Sequence, residues 1–289
     1  MAERLNVLKT WKLYIGGAFP RTESGRTEVV KDTDGELLAH ICPASRKDLR
    51  NAVEAATKAS GGWAKRTAYN RGQILYRMAE MVEGRRAEFV DAIRSTTGDT
   101  AATARREVDA SIDRLVSFAG WTDKFTSLLG SHNPVAGPYY TFTVPDPTGV
   151  VAVVPPDEPS LLGIVTLLAP PLAAGNAVIA VAGVRHPIAA LLLGEVCATS
   201  DVPGGVVNIL TARRRELLEP LATHRGIDAI STANLRKPDR TTLDLGTAEN
   251  MKRVHHEKIA TDAWHDDART APWTIAPFVE MKTIWHPSR

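Results

Sequence analysis

The sequence predicts an α/β fold, a doubly wound parallel sheet preceded by helices and carrying a separate β arm. Three observations predict it. From Gly149 onward, apolar runs of strand length alternate with helical patterns: Gly149 to Val154, Ala177 to Val181, Val206 to Leu210 and Ile227 to Ile230. The first of these runs is apolar at every position, as strands buried on both faces of a parallel sheet are. The first 125 residues instead carry apolar residues at helical spacing. Two further β-rich stretches, Tyr139 to Val144 and Phe278 to Trp285, stand apart from this alternation.

The elements follow in order. Leu13-Tyr14-Ile15 before Gly16-Gly17 reads as a strand entering a hairpin turn. Ser45 is a helix cap with Asp48 in the first turn, and Leu49, Val53, Ala56 and Ala59 continue that helix. Further helices are expected over Tyr69 to Val82, Arg85 to Thr96 and Ala102 to Phe125. In the second half, helices Leu161 to Ala174, Pro187 to Ala198 and Glu216 to Thr223 separate the four strands, giving the Rossmann-like β-α-β order. After Val254 the text turns polar and irregular, and 258–273 reads as a linker or surface crossing.

Composition narrows the function classes. With 44% hydrophobic and 24% charged residues over 289 positions, the chain reads as a globular protein with an ample core. A net charge of +2 provides no field for nucleic acid. The apolar stretch Leu161 to Ala174 is broken by Pro170-Pro171 and too short for a membrane span. Met1 to Leu5 contains no signal-peptide core, and two cysteines make no disulfide framework, so the expected compartment is the cytoplasm. His255-His256 and His265-Asp266-Asp267 match no metal-site spacing, so no metal is expected. Arg213-Arg214-Arg215 could attract phosphate, but a solvated charge run is the preferred reading.

Several stretches, in order, resemble the aldehyde dehydrogenase superfamily. These are Leu13 to Gly17, Phe118-Ala119-Gly120-Trp121-Thr122-Asp123-Lys124, Asp146-Pro147-Thr148-Gly149-Val150-Val151, Leu168 to Val178 with its Pro170-Pro171 and Gly175-Asn176, and Val202-Pro203-Gly204-Gly205-Val206-Val207-Asn208. The resemblance implies an NAD-binding-like domain over 1–131 and 146–257 and oligomerisation-arm strands over 132–145 and 274–289. It also implies that 258–273 stands as a linker where the family has its cysteine-bearing catalytic domain. Removing that domain should uncover an apolar flank.

Carried over residue by residue, the family's site is eroded. Glu158 stands where an asparagine amide helps hold the oxyanion, and an ionised carboxylate cannot donate. Loss of one such donor typically costs about 3 kcal/mol of transition-state stabilisation. Val181 and Val184 replace the lysine and glutamate that hold the adenosine ribose, while Pro187 keeps the register. Asn234 and Leu235 replace the glycine and serine of the phosphate turn. Together with Pro156 and Asp157 these positions form a vestigial cofactor crevice. Glu257 falls near the general-base position; Leu243-Asp244-Leu245-Gly246 looks similar but is out of register. Cys42 and Cys197 read as core residues, so no catalytic residue and no nucleophilic cysteine are assigned.

The expected function is a non-catalytic, aldehyde-dehydrogenase-like subunit, binding no cofactor. It would assemble with itself or a full-length paralogue through Tyr139–Val144 and Phe278–Trp285. The alternatives are an NAD-dependent component whose cysteine comes from a partner chain, and a regulatory module that senses another nucleotide or metabolite in the vestigial crevice.

Overall fold

The computed structural model describes residues 7–288, so the expectations for Met1 to Leu5 and for Arg289 lie outside the described residues. The chain opens with β1 (Thr10–Trp11), β2 (Glu28–Lys31) and β3 (Leu37–Ile41), a three-stranded sheet in the order β1-β3-β2. Between β1 and β2 the hairpin turn forms as its glycines require. Ile15 and Ala18 exchange backbone hydrogen bonds of 3.0 Å, with Gly16 at φ +63° and Gly17 at φ +85°. Both values lie in the left-handed region that favours glycine. Strands β2 and β3 were not expected: β2 has only two apolar residues, and Leu37-Leu38-Ala39-His40-Ile41 does not alternate.

Four helices follow: α1 (Arg46–Ala64), α2 (Ala68–Gly84), α3 (Arg86–Thr97) and α4 (Ala101–Trp121), with a short α5 (Phe125–Leu129). Helix α1 starts where Ser45 predicts. The Ser45 hydroxyl accepts from the Asp48 amide at 3.2 Å and the Asp48 carboxylate accepts from the Ser45 amide at 2.7 Å, a reciprocal capping box. Thr22 donates to the same carboxylate at 2.6 Å and the Glu23 amide at 3.1 Å, anchoring the N-terminal loop on the helix.

The main sheet contains β6 (Val150–Val154), β7 (Ala177–Ala182), β8 (Val207–Thr211), β9 (Ala229–Ala233) and β10 (Arg253–Glu257), all parallel in the order β10-β9-β6-β7-β8. Helices α6 (Leu162–Ala174) and α7 (Ile188–Ala198) cover one face, packing on Val151 and Val153. Helices α1 and α8 (Arg214–Thr223) cover the other face, packing on Val150, Ala152 and Val154, and α9 (Lys237–Ala248) lies beside α8. That two-sided burial explains the continuous apolar runs. Strand β10 is polar because it is the sheet edge and only half-buried, which is why His255-His256 gave no strand signal. The chain runs from β6 outward to β8 and then crosses back to β9, so strand order reverses between β6 and β9. Crevices of doubly wound sheets form outside the strands' carboxyl ends at such a reversal.

One buried amide ties the layers together. Asn176 ends α6 after Gly175, which sits at φ +103°. Its Oδ1 accepts from the Gly149 amide at 2.7 Å, and its Nδ2 donates to Pro171 O at 3.0 Å and Phe278 O at 2.9 Å. The prolines of α6 sit inside a fully buried helix, and Asn176 takes up a carbonyl at its end.

The stretch 258–273, expected as a linker, is packed, and with the residues up to Phe278 it forms three 3₁₀ turns: Asp262–His265, Asp267–Thr270 and Pro272–Phe278. Trp264, Ile275 and Phe278 are buried in the core shared with α4 and α6. Arg114 on α4 donates to Trp264 O at 2.9 Å, and the Trp121 indole donates to Thr270 O at 2.8 Å. The crossing therefore covers part of the core around α4 and α6. Its apolar residues are spaced too irregularly to have signalled this.

The arm is a second three-stranded sheet, β11-β5-β4, from β4 (Ser131–His132), β5 (Tyr139–Pro147) and β11 (Val279–Pro287). Strand β11 runs antiparallel to β5 over its full length, from Val279 opposite Pro147 to Pro287 opposite Tyr139. Among the described residues, no helix is long and apolar enough to cross a membrane.

Candidate functional site

A cleft of about 420 Å³ opens at the carboxyl ends of β6, β7, β8 and β9, at the strand-order reversal. Pro156 and Asp157 after β6, Val184 after β7, and Asn234 and Leu235 after β9 all line it. Five of the six residues expected in the crevice are thus brought together. Val181 is not among them: it is buried inside the sheet's other core, among residues of α1 and α8. Leu235 of the cleft packs against this same core. A cavity of about 450 Å³ around Asp228 and Lys252 lies at the opposite, amino end of the strands. There the Lys252 ammonium, pulled down to about 8 by desolvation, donates to carbonyls of Leu221, Ala222 and His224. Its bonds hold the end of α8, a structural role.

Asn234 has φ +55°, the left-handed conformation a glycine would take more easily, and asparagine is among the residues that tolerate it. Its side chain is committed elsewhere than the cleft. Nδ2 donates to Ile259 O at 2.9 Å, and Oδ1 accepts from the Ile259 amide at 2.8 Å. Asn234 thus fastens the crossing 258–278 to the end of β9.

Around the family's oxyanion position, Glu158 is exposed and lies 3.0 Å from His186 Nε2, closing the loop after β6 onto the loop after β7. The first amides of α6, the nearest helical anion donors, are occupied. Glu107 on α4 accepts from Leu161 N at 2.6 Å and Leu162 N at 3.2 Å. Burial pushes the Glu107 carboxyl above its usual range although these donors pull the other way. Sequence reading missed Glu107, since its position on an amphipathic helix gives no sign of what it faces.

Glu257 ends β10. Burial would raise its carboxyl, but His255 and Arg269 outweigh it and hold it below the usual range. A carboxylate kept ionised by an arginine is a poor proton acceptor. Asp244 of the out-of-register Leu243 to Gly246 sits on α9, 3.0 Å from His256 Nε2, while His256 Nδ1 lies 2.7 Å from the Thr232 hydroxyl. Cys42 and Cys197 are both buried, and neither lines the cleft. Burial pushes the Cys197 thiol up to about 12, far from a reactive thiolate. Among the described residues no group of three or more His, Cys, Asp and Glu is placed to hold a metal.

The arginines read as a solvated run also face the cleft: Arg213, Arg214 and Arg215 at the start of α8, with Arg185 after β7 and Arg236 before α9. Their convergence depends on three separate turns, which sequence spacing does not reveal.

Comparison with known proteins gives these features a common origin. Residues 19–264 match the sequence profile described as the aldehyde dehydrogenase family. The chain is 31% identical over 252 residues to retinal dehydrogenase 2 of Gallus gallus, covering 86% of this chain and 48% of that protein. It is 30% identical over 247 residues to the mitochondrial benzaldehyde dehydrogenase of Antirrhinum majus, covering 84% and 46%. Among solved structures, an NAD+ complex of an aldehyde dehydrogenase from Bacillus cereus superposes with a TM-score of 0.81 at 25% identity, over 87% of this chain and 51% of that one. A 3,6-anhydro-L-galactose dehydrogenase in complex with NAP gives a TM-score of 0.82 at 25% identity, over 87% and 52%. The chain spans about half the length of the curated relatives it matches. On the profile match, the shared fold and the curated relatives together, the chain belongs to the aldehyde dehydrogenase family.

Proposed function

We propose that this chain is a non-catalytic subunit that assembles with a full-length, active aldehyde dehydrogenase or with a second copy of itself. The observation that carries this reading is the arm. Strand β11 pairs with β5 from residue 279 to 287, yet beyond Val279 every residue of β11 is exposed. Tyr140, Val144 and Ile284 are exposed on one face of the arm, Tyr139, Met281 and Trp285 on the other. Among the described strands, none pairs with the outer edge of β11. An open edge flanked by apolar residues is an aggregation liability unless a partner covers it. Tyr139–Val144 and Phe278–Trp285 are then the docking strands, and two free, buried cysteines suit a reducing cytoplasm.

The site chemistry supports the non-catalytic half. Glu158 places negative charge where an oxyanion would need a donor, Glu107 occupies the amides of α6, and Glu257 is held ionised. No cofactor is part of this reading.

The open cleft, together with neighbours solved as NAD+ and NAP complexes, favours a second reading, in which the chain binds NAD and a partner supplies the cysteine. Calorimetric titration with NAD separates the two, since only the second expects saturable binding. For the first, the chain is co-expressed with a full-length relative from its own source and weighed by native mass spectrometry. A hetero- or homo-oligomer that Ile284→Asp with Trp285→Asp dissociates is expected. A monomer both alone and beside the relative would overturn the reading.

A further inference from the structure

We propose that β10 is a docking edge for a second copy of this chain, the two strands pairing antiparallel about a twofold axis at His255. The inference uses a different strand from the arm and does not rest on the reading of the arm. The two edges of the main sheet differ. At β8, Tyr14 and Ile209 exchange backbone bonds of 3.0 and 2.7 Å and the Ala44 amide donates to Thr211 O at 2.7 Å, so the chain itself covers that edge. At β10, among the described strands, the pairing is to β9 alone. The Arg253 amide donates to Asp228 O at 3.3 Å, and Glu257 O accepts from the Asn234 amide at 2.9 Å. Residues 253, 255 and 257 therefore direct their backbone groups inward, and alternation directs those of Val254 and His256 outward. Among the described residues, no group outside β9 bonds the amide or carbonyl of either. A cavity of about 410 Å³, lined in part by Arg253, Val254, His255, Pro277 and Phe278, borders the strand.

Backbone direction and charge both select the register. Centring the twofold on His255 sets Val254 opposite the copy's His256, and since both present outward groups, each such pair exchanges both of its backbone bonds. It also sets Arg253 opposite the copy's Glu257, a favourable cross-strand pair. An in-register parallel pairing would instead set arginine against arginine and glutamate against glutamate. Within each chain Arg253 lies 2.6 Å from Glu280, and Glu257 pairs with Arg269, which holds both charges in place along the edge. Strand β10 has no proline, and beyond Arg253 its residues are half-buried. Such an edge adds a strand through main-chain bonds, with side chains deciding which strand fits. The order Arg253-Val254-His255-His256-Glu257 complements itself when reversed, so the occupant it fits is a copy.

The test is sedimentation velocity, over a series of protein concentrations, on the whole chain carrying Ile284→Asp and Trp285→Asp, in which the arm contacts are removed. Loss of those contacts is expected to take the assembly down to the β10 dimer and no further. A monomer at every concentration would overturn the proposal and leave the reading of the arm untouched. In the same background Val254→Pro, which removes an outward amide, is expected to weaken dimerisation by about tenfold or more. Arg253→Glu and Glu257→Arg, each checked for folding by circular dichroism, are expected to dimerise poorly alone. Mixed together they should form a dimer, because the charges across the axis are then opposite again. Hydrogen exchange on the unsubstituted chain keeps the test decisive should a variant not fold: the Val254 and His256 amides are expected to exchange more slowly as protein concentration rises. Unchanged dimerisation in folded Val254→Pro, folded charge variants that do not combine, or exchange at Val254 and His256 independent of concentration would each overturn the proposal.

Discussion

The amino and carboxyl ends of the parallel sheet obey different rules. At the amino end, Asn176 is fully buried and bonded to Gly149, Pro171 and Phe278, and Asp228 accepts from the Val150 amide at 2.7 Å. At the carboxyl end, His186 leaves both ring nitrogens and Arg214 two guanidinium nitrogens buried without hydrogen bonds, whereas at the amino end, among the described residues, Thr148 and Asn250 each leave one oxygen so. Buried polar groups are nearly always paired when a structure depends on them. The difference teaches that the framework of the fold is tied by bonded polar groups, while the crevice is lined by groups the fold itself does not need. Homology read from the framework therefore establishes the fold and says little about chemistry.

The comparison is open to attack at defined points, beginning with the largest effect. Asn176→Leu removes all three side-chain bonds of the hub and leaves the Gly149 amide without a partner, while Pro171 O keeps the amide of residue 176 and Phe278 O that of Thr148. We expect a loss of about 3 kcal/mol or more in urea unfolding. A loss below about 1 kcal/mol would show that the amino end is not the stronger framework.

At the carboxyl end, Asn234→Ala forfeits both bonds to Ile259 and places alanine at a left-handed position. About 2 kcal/mol is expected. Asn234→Gly forfeits the same bonds without the backbone strain and should cost about half as much. If the two variants are equal, the left-handed strain at Asn234 is immaterial, and limited proteolysis within 258–278 should report the freed crossing in both.

The smallest effect comes from Asp48. Burial would raise its carboxyl, but bonds from Thr22, Ser45 and Glu23 outweigh it and hold it below the usual carboxylate range. Its folded value is below its unfolded one, about 3.9, so its stabilisation is present above about pH 4 and is lost as pH falls through the folded value. Asp48→Asn should cost about 1 kcal/mol at pH 7 and flatten the acid side of the stability profile. An unchanged acid profile would remove Asp48 from the account.

What sequence could reveal tracks how regular the burial is. Helix α1 was legible from Ser45 and Asp48 because capping is local, and β6, β7 and β8 from runs buried on two faces. Helix α9 was missed because only Leu243 and Thr247 are buried on it, too few to set a period. Strand β10 was hidden by its half-exposed edge, and 258–278 by turns that bury isolated residues such as Trp264. At the site, Pro156, Asp157, Val184, Asn234 and Leu235 could be placed by register alone. Glu107 and the arginines could not, since their partners lie on elements distant in sequence.

The central proposal is that this member of the aldehyde dehydrogenase family keeps the fold without catalysing the dehydrogenase reaction. Steady-state assay of the purified chain with NAD and a panel of aliphatic and aromatic aldehydes tests it most directly. The account predicts no coenzyme reduction above the rate of a heat-denatured control. Saturable reduction that depends on aldehyde and persists in the purified chain alone would contradict it.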